Sequence, residues 1–217
     1  MLERISRREE FDLFIAWIAI SLAFTIIFIS PGGLLTPAMR IPPLVALIFF
    51  GVSLVTVGIG FILHEMAHKF LAMKYGFWAE FRKDNVMLLI AVVLAALVGF
   101  VFAAPGATVI YPNSADGRGL SREENGKISA AGPLVNLLLC IPFALILYLA
   151  VSADSPNSIL TIIGTVGLQV NAMVAAFNML PVSVLDGKKI LAWNVGVFAV
   201  MIVAAFGILI GSFSFLP

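Results

Sequence analysis

His64-Glu65-Met66-Ala67-His68 interrupts an apolar run that extends from about 43 to 73. In a helix, residues i and i+4 project from one face with Cβ atoms about 6 Å apart. His64 and His68 are therefore spaced to grip one zinc ion, with Glu65 beside it as a base. They are the two histidines of the chain. Three ionisable groups within five membrane-embedded positions cost on the order of several kcal/mol unless a metal or a water cavity compensates them. The competing reading, two buried histidines bonded to nearby backbone beside a neutral Glu65, leaves that cost unexplained.

Working outward, the 217 residues are 61% hydrophobic and 12% charged, and the mean hydropathy is +1.10. A water-soluble domain of this length is not so apolar, so the sequence predicts an all-α polytopic membrane protein forming one domain over 1–217. Windows long enough to cross about 30 Å of hydrocarbon run near 11–30, 43–73, 86–104, 128–152, 158–180 and 190–216. The first follows Arg4, Arg7 and Arg8 without a small-residue cleavage site, and reads as a retained helix. With one cysteine, Cys140, an intrachain disulfide and a multi-cysteine zinc cluster are excluded. Any metal must be held by histidine and carboxylate. A net charge of +1 gives no case for nucleic acid.

Charge placement bears on topology. If all six windows span, seven Lys/Arg (Arg4, Arg7, Arg8, Lys69, Lys74, Arg82, Lys83) oppose six (Arg40, Arg118, Arg122, Lys127, Lys188, Lys189), which orients nothing. If 86–104 dips in and returns, twelve face the cytoplasm against Arg40 alone. Ala104-Pro105-Gly106 supplies a break, and the β-prone stretch Ala107 to Tyr111 follows it. Five spanning helices plus one re-entrant segment are therefore expected, with the N-terminus and the metal site toward the cytoplasm.

A zinc hydrolase usually shows three protein ligands and an open position. Glu80, Asp84, Asp116, Glu123 and Glu124 read as solvated loop charges. Asp186 instead follows an apolar window, between helix-breaking Pro181 and Gly187. It could simply cap the next helix ahead of Lys188 and Lys189. Depth favours a ligand: with 86–104 re-entrant, the helix from 158 runs inward and brings Asp186 to the level of His64 and His68.

These residues, together with Gly132-Pro133-Leu134-Val135-Asn136 and Asn178-x-x-Pro181-x-x-x-Leu185-Asp186-Gly187, resemble the site-2 proteases, a family of intramembrane zinc metalloproteases. The resemblance spans 64 to 187. It implies a three-helix catalytic core within about 43–187, one Zn²⁺ per chain on His64, His68 and Asp186, Glu65 as base and acid, and membrane protein substrates with a transmembrane helix. It also implies a small β-sheet near the site, which Ala107 to Tyr111 fits. The apolar insertion at 86–104 departs from the family pattern.

The side-chain amides of Asn136 and Asn178 are the embedded candidates for oxyanion or substrate contacts, with interhelical bonding as the alternative. Gly132 and Pro133 read as helix-starting or kinking residues. The stretch Ala107, Thr108, Val109, Ile110 and Tyr111 is a candidate edge strand for an unwound substrate. Helices near 11–30 and 190–216 lack embedded charge in this reading and would flank the core. The competing functions are an inactive protease-like scaffold and a metal-cation transporter. A transporter would need a second embedded site, and a scaffold has little use for Glu65. Oligomeric state is not encoded legibly.

Overall fold

In a computed structural model, which describes residues 5–33, 42–101, 106–112, 117–153, 158–182 and 184–213, the chain runs α1 (Arg7–Ile29), α2 (Pro43–Lys74), β1 (Ala79–Lys83), α3 (Asn85–Val98), β2 (Gly106–Ile110), α4 (Arg122–Ser152), α5 (Ile159–Asn178), α6 (Asp186–Trp193) and α7 (Val195–Phe213). Helices α1, α2, α4, α5 and α7 are long and apolar enough to cross a membrane. Their outer faces expose large apolar side chains such as Leu47, Val55, Leu138, Ile141, Val200, Val203 and Ile210, a surface suited to hydrocarbon rather than water. The architecture is an all-α polytopic membrane protein with one two-stranded sheet.

Local chemistry sets the helix boundaries. Helix α4 begins in the polar stretch, earlier than hydropathy predicts, because Ser121 and Glu124 form a capping box that satisfies two otherwise free N–H groups. The window at 190–216 divides in two, its last residues lying outside the described ones. Extended Asn194 ends α6, and its Oδ1 accepts from the Val197 N–H to start α7.

The starts of α1 and α4 and the ends of α2 and α5 gather at one end of the bundle. Lys69 near the end of α2 pairs with Glu9 in the first turn of α1. His68 reaches Ile128 near the start of α4, and Asp186 follows the end of α5. This common end is what lets Asp186 meet the histidines.

The described part of the insertion between β1 and β2 fits the re-entrant element expected at 86–104. Strands β1 and β2 pair antiparallel from Ala79↔Ile110 to Lys83↔Gly106, so the chain leaves and returns at one paired position. Between them α3 has 14 residues, about 21 Å, against about 30 Å of hydrocarbon. Asp84 caps its start, accepting from the Val86 and Met87 N–H groups. Gly99, at φ 66°, ends it in the left-handed conformation. The α3 tip rests on the turn after α1: a Cβ on Gly33 would lie 2.6 Å from the Ala96 carbonyl oxygen, and one on Gly99 2.7 Å from Gly32 Cα. The expected break at Ala104-Pro105, like Arg40 and Asp116, lies outside the described residues.

Two sequence expectations are corrected here. Helix α1 does carry embedded charge: Glu9 is fully buried and Asp12 nearly so. Glu80, expected to be a solvated loop charge, is buried. Lys69 is fully buried against Glu9, whose other oxygen accepts from the Phe81 N–H at 3.0 Å. Arg82 pairs with buried Glu80 and lies 3.7 Å from Asp12. Each charge is kept because a charge of opposite sign removes its desolvation cost. Trp17 adds an apolar anchor, its indole N–H donating to the Leu54 carbonyl at 2.7 Å across the space left by Gly58.

The return of 84–105 to one side is testable. In a Cys140→Ala background, single cysteines at Asn85 and Tyr111 should react with a membrane-impermeant maleimide from the same face of sealed vesicles. Labelling from opposite faces would mean the segment crosses.

Candidate metal centre

Helix α2 presents two stripes at i, i+4 spacing, and the histidine stripe faces α4, α5 and α6. His64, His68 and Asp186 are all buried, at 3%, 6% and 8% exposure. The Nε2 atoms of the two histidines lie 3.0 Å apart. Asp186 Oδ2 lies 3.5 Å from His64 Nε2 and 3.1 Å from His68 Nε2. Ligand atoms on a tetrahedral zinc with bonds of about 2.0–2.2 Å stand about 3.3–3.6 Å apart. The three donors thus already sit near the spacing such an ion requires, and the set of two imidazoles and a carboxylate suits it. Among the described residues they form the cluster that could hold a metal ion.

The second ring nitrogen of each histidine is fixed. His68 Nδ1 lies 2.8 Å from the Ile128 carbonyl oxygen. A carbonyl can only accept, so Nδ1 carries the proton and Nε2 offers its lone pair. His64 Nδ1 lies 2.5 Å from Asn136 Oδ1. The Asn136 amide is oriented by its Nδ2, which donates to the Gly60 carbonyl at 3.2 Å and to Asn171 Oδ1 at 2.9 Å. Asn171 is oriented in turn by donation from its own Nδ2 to the Gly167 carbonyl at 2.8 Å. Two backbone carbonyls therefore set a chain of amides that fixes the His64 tautomer.

This arrangement corrects the oxyanion expectation for Asn136. Both of its N–H groups are committed and the side chain is fully buried, so it positions the His64 imidazole instead. Asn178 is half-buried, donates to the Val174 carbonyl at 3.0 Å, and lines the cavity beside the cluster. Gly132 also has a different part from helix kinking. A Cβ there would collide with the His68 imidazole and lie 2.6 Å from His64 Nε2. The missing side chain is what leaves space in front of the paired nitrogens.

Asn171 and Lys69 escaped the sequence reading. A polar residue within the apolar run of α5, and a lysine four residues after Glu65, were the available signals.

The cavity is walled by Ile20 of α1, Val57, Phe61 and Glu65 of α2, Gly106 to Thr108 and Ile110 of β2, and Val170, Val174 and Asn178 of α5. The strand expected at Ala107 to Tyr111 forms one residue earlier, at Gly106–Ile110, and Tyr111 adds one more backbone bond, to Trp78 O at 2.8 Å. Val109 points outward, 40% exposed. Thr108 points in, and its hydroxyl donates to Glu65 Oε2 at 2.8 Å.

Over 198 residues, 91% of each chain, the sequence is 37% identical to a Methanocaldococcus jannaschii protein named "Putative zinc metalloprotease MJ0611". This chain belongs to that protein's family. No family model and no solved structure matches it. Membership of a zinc metalloprotease family agrees with the donor set and spacing found on α2 and α6.

Two substitutions probe the centre. Asn136→Leu should weaken metal binding about ten- to a hundredfold, the usual effect of losing such an outer partner, read as zinc affinity by competition with a chromogenic chelator. Gly132→Ala should lower the bound metal per chain while leaving helix content by circular dichroism unchanged.

Proposed function

We propose that the protein is an intramembrane zinc metalloprotease of the site-2 protease type, hydrolysing a peptide bond within or near the transmembrane segment of membrane protein substrates. The observation that carries this reading is a buried His64–His68–Asp186 cluster with Glu65 beside it, facing a cavity bounded by a strand edge. In this reading the three residues hold one Zn²⁺. Zinc, when bound, acts as a Lewis acid on the scissile carbonyl and acidifies water.

The chain's own residues do the rest. Glu65 is not needed as a ligand, and its carboxylate can accept the proton released when water attacks and return it to the leaving amine. Asn136 and the Ile128 carbonyl keep both imidazoles in the ligating tautomer. Asn178, on the cavity wall, is the remaining side-chain candidate for holding substrate or its developing oxyanion.

An unwound substrate needs backbone partners, and β2 has an edge to offer. Because Tyr111 bonds back to Trp78, alternation places Val109 and Ala107 as the β2 residues bonded toward β1. The N–H and C=O groups of Thr108 and Ile110 then face the other edge, beside the cavity. In this proposal that edge receives the substrate strand, and the whole of 1–217 works as one catalytic domain.

Sidedness follows from the charge count. On this topology, even without buried Lys69, eleven Lys/Arg would fall on the metal-site side against Arg40 alone, a bias that supports a cytoplasmic N-terminus and centre. A cation transporter would need further embedded ligands along a path. Among the described residues there is one such cluster.

The test is cleavage of a panel of single-span membrane peptides by purified protein in detergent, with zinc measured in parallel. Glu65→Gln should keep one zinc per chain and lose cleavage by at least about a thousandfold, a loss within the scale reported for removal of essential catalytic groups. Asp186→Ala should lose the zinc. Ile110→Pro, which removes an edge N–H without touching the ladder to β1, should lower cleavage with zinc retained. Full cleavage by Glu65→Gln would sink the assignment.

A further inference from the structure

The second stripe of α2 is Phe61, Glu65 and Lys69, again at i, i+4 spacing, and each member is engaged by the sheet or by what holds it. Phe61 packs edge-on against Phe81 of β1, ring centroids 5.5 Å apart. Glu65 Oε2 accepts from the Thr108 hydroxyl of β2 at 2.8 Å. Lys69 pairs with Glu9, and Glu9 Oε1 accepts from the Phe81 backbone N–H at 3.0 Å. Phe81 and Thr108 are register partners, so their side chains share one face of the sheet.

The connections therefore close a loop. Starting from Lys69 it runs through Glu9 to Phe81, across the ladder to Thr108, and back to α2 at Glu65. Both the Glu9 and Lys69 side chains are fully buried, and Phe81 is too. A one-residue slip of the strands would turn Thr108 away from α2. The buried pair opposes that slip by holding the Phe81 N–H at a fixed point along the helix.

We propose that Thr108 is a positioning residue for Glu65, and that the buried Glu9–Lys69 pair sets the strand register in which it acts. This rests on the reading of Glu65 as the base. One Glu65 oxygen is held by the hydroxyl, which fixes the rotation of the carboxylate and leaves the other oxygen for water. The hydroxyl touches neither metal nor substrate in this role.

The experiment compares Thr108→Val, Thr108→Ser, Glu9→Leu/Lys69→Met and the triple variant with wild type and Glu65→Gln, on the panel peptide that wild type cuts fastest. Valine keeps the β-branched shape and loses only the hydroxyl. The paired replacement removes both charges together and so avoids stranding one of them in the interior. Thr108→Val should lower kcat about ten- to a hundredfold, the range for loss of an outer partner, with KM within about twofold and zinc still one per chain. Thr108→Ser should restore kcat to within about threefold of wild type. Glu9→Leu/Lys69→Met should also lower kcat, and adding Thr108→Val to it should cost little more, since both act through one contact.

Thr108→Val with wild-type kcat, or Thr108→Ser as slow as valine, would overturn the positioning role. Fully multiplicative losses in the triple variant would overturn the part assigned to the pair. Cleavage by Glu65→Gln would instead remove the base reading itself, and a wild type that cuts no peptide would remove the activity on which the inference stands.

Discussion

The structure depends on satisfying every polar atom that α2 carries into an apolar bundle. Each imidazole has two nitrogens, and the fold disposes of one from each ring before the other can serve a metal. Ile128 takes the proton side of His68, and Asn136 takes that of His64. Once those two bonds exist, the Nε2 atoms have to converge, and Asp186 meets them at 3.1 and 3.5 Å. The close packing of α4 and α5 on α2 follows from the same need. Asn136 comes from α4, Asn171 from α5, and a Cβ on Gly60 of α2 would stand 2.7 Å from Asn171 Oδ1. Fully satisfied buried networks of this kind specify one arrangement, because any other leaves an amide unpaired in low dielectric.

The insertion between the strands illustrates a different constraint. A non-helical backbone at membrane depth is tolerated only where protein covers it. Here α3 lies along α1, burying Leu88, Ala91 and Ala95, while Leu89, Val93 and Leu97 face outward. Past Gly99, Val101 turns into the core and is 1% exposed. The helical limb meets lipid, and the described part of the return limb is sheltered. The ladder from Lys83↔Gly106 to Ala79↔Ile110 then closes the excursion, placing Thr108 against α2.

Much of this was legible in the residues. The 3.6-residue period put His64 and His68 on one face, and the hydropathy runs gave all five long helices. The return of 84–105 was readable because two independent quantities, the Lys/Arg bias and the depth of Asp186, both required it. What stayed hidden depends on partners far apart in the chain. Lys69 enters the sequence reading only in the charge count, because its counter-charge, Glu9, lies 60 residues earlier. Gly132 looked like a helix kink because nothing local says that two imidazoles will face it. For Asn136 the sequence leaves oxyanion contact and interhelical bonding both open, since an embedded amide advertises a hydrogen bond without saying to what; the observed bonds are interhelical. Periodicity reveals which face of a helix is special, and only packing reveals what it faces.

The two flanking helices are not equivalent, and the difference limits how the cavity can open. Helix α7 contributes no wall residue, whereas α1 contributes Ile20. Yet α1 is held by the Glu9–Lys69 pair, by the Trp17–Leu54 bond and by an apolar core that includes Leu13, Ile20 and Phe24. Swinging it aside would strand two buried charges, and breaking such a pair costs about 3–5 kcal/mol. Among the described residues of the connection after α5 there is no buried ion pair of this kind: Pro181, Val182 and Val184 are exposed, and Val184 and Leu185 line the cavity. On that side the chain is held by Asp186, whose Oδ2 lies 3.5 and 3.1 Å from the two imidazoles.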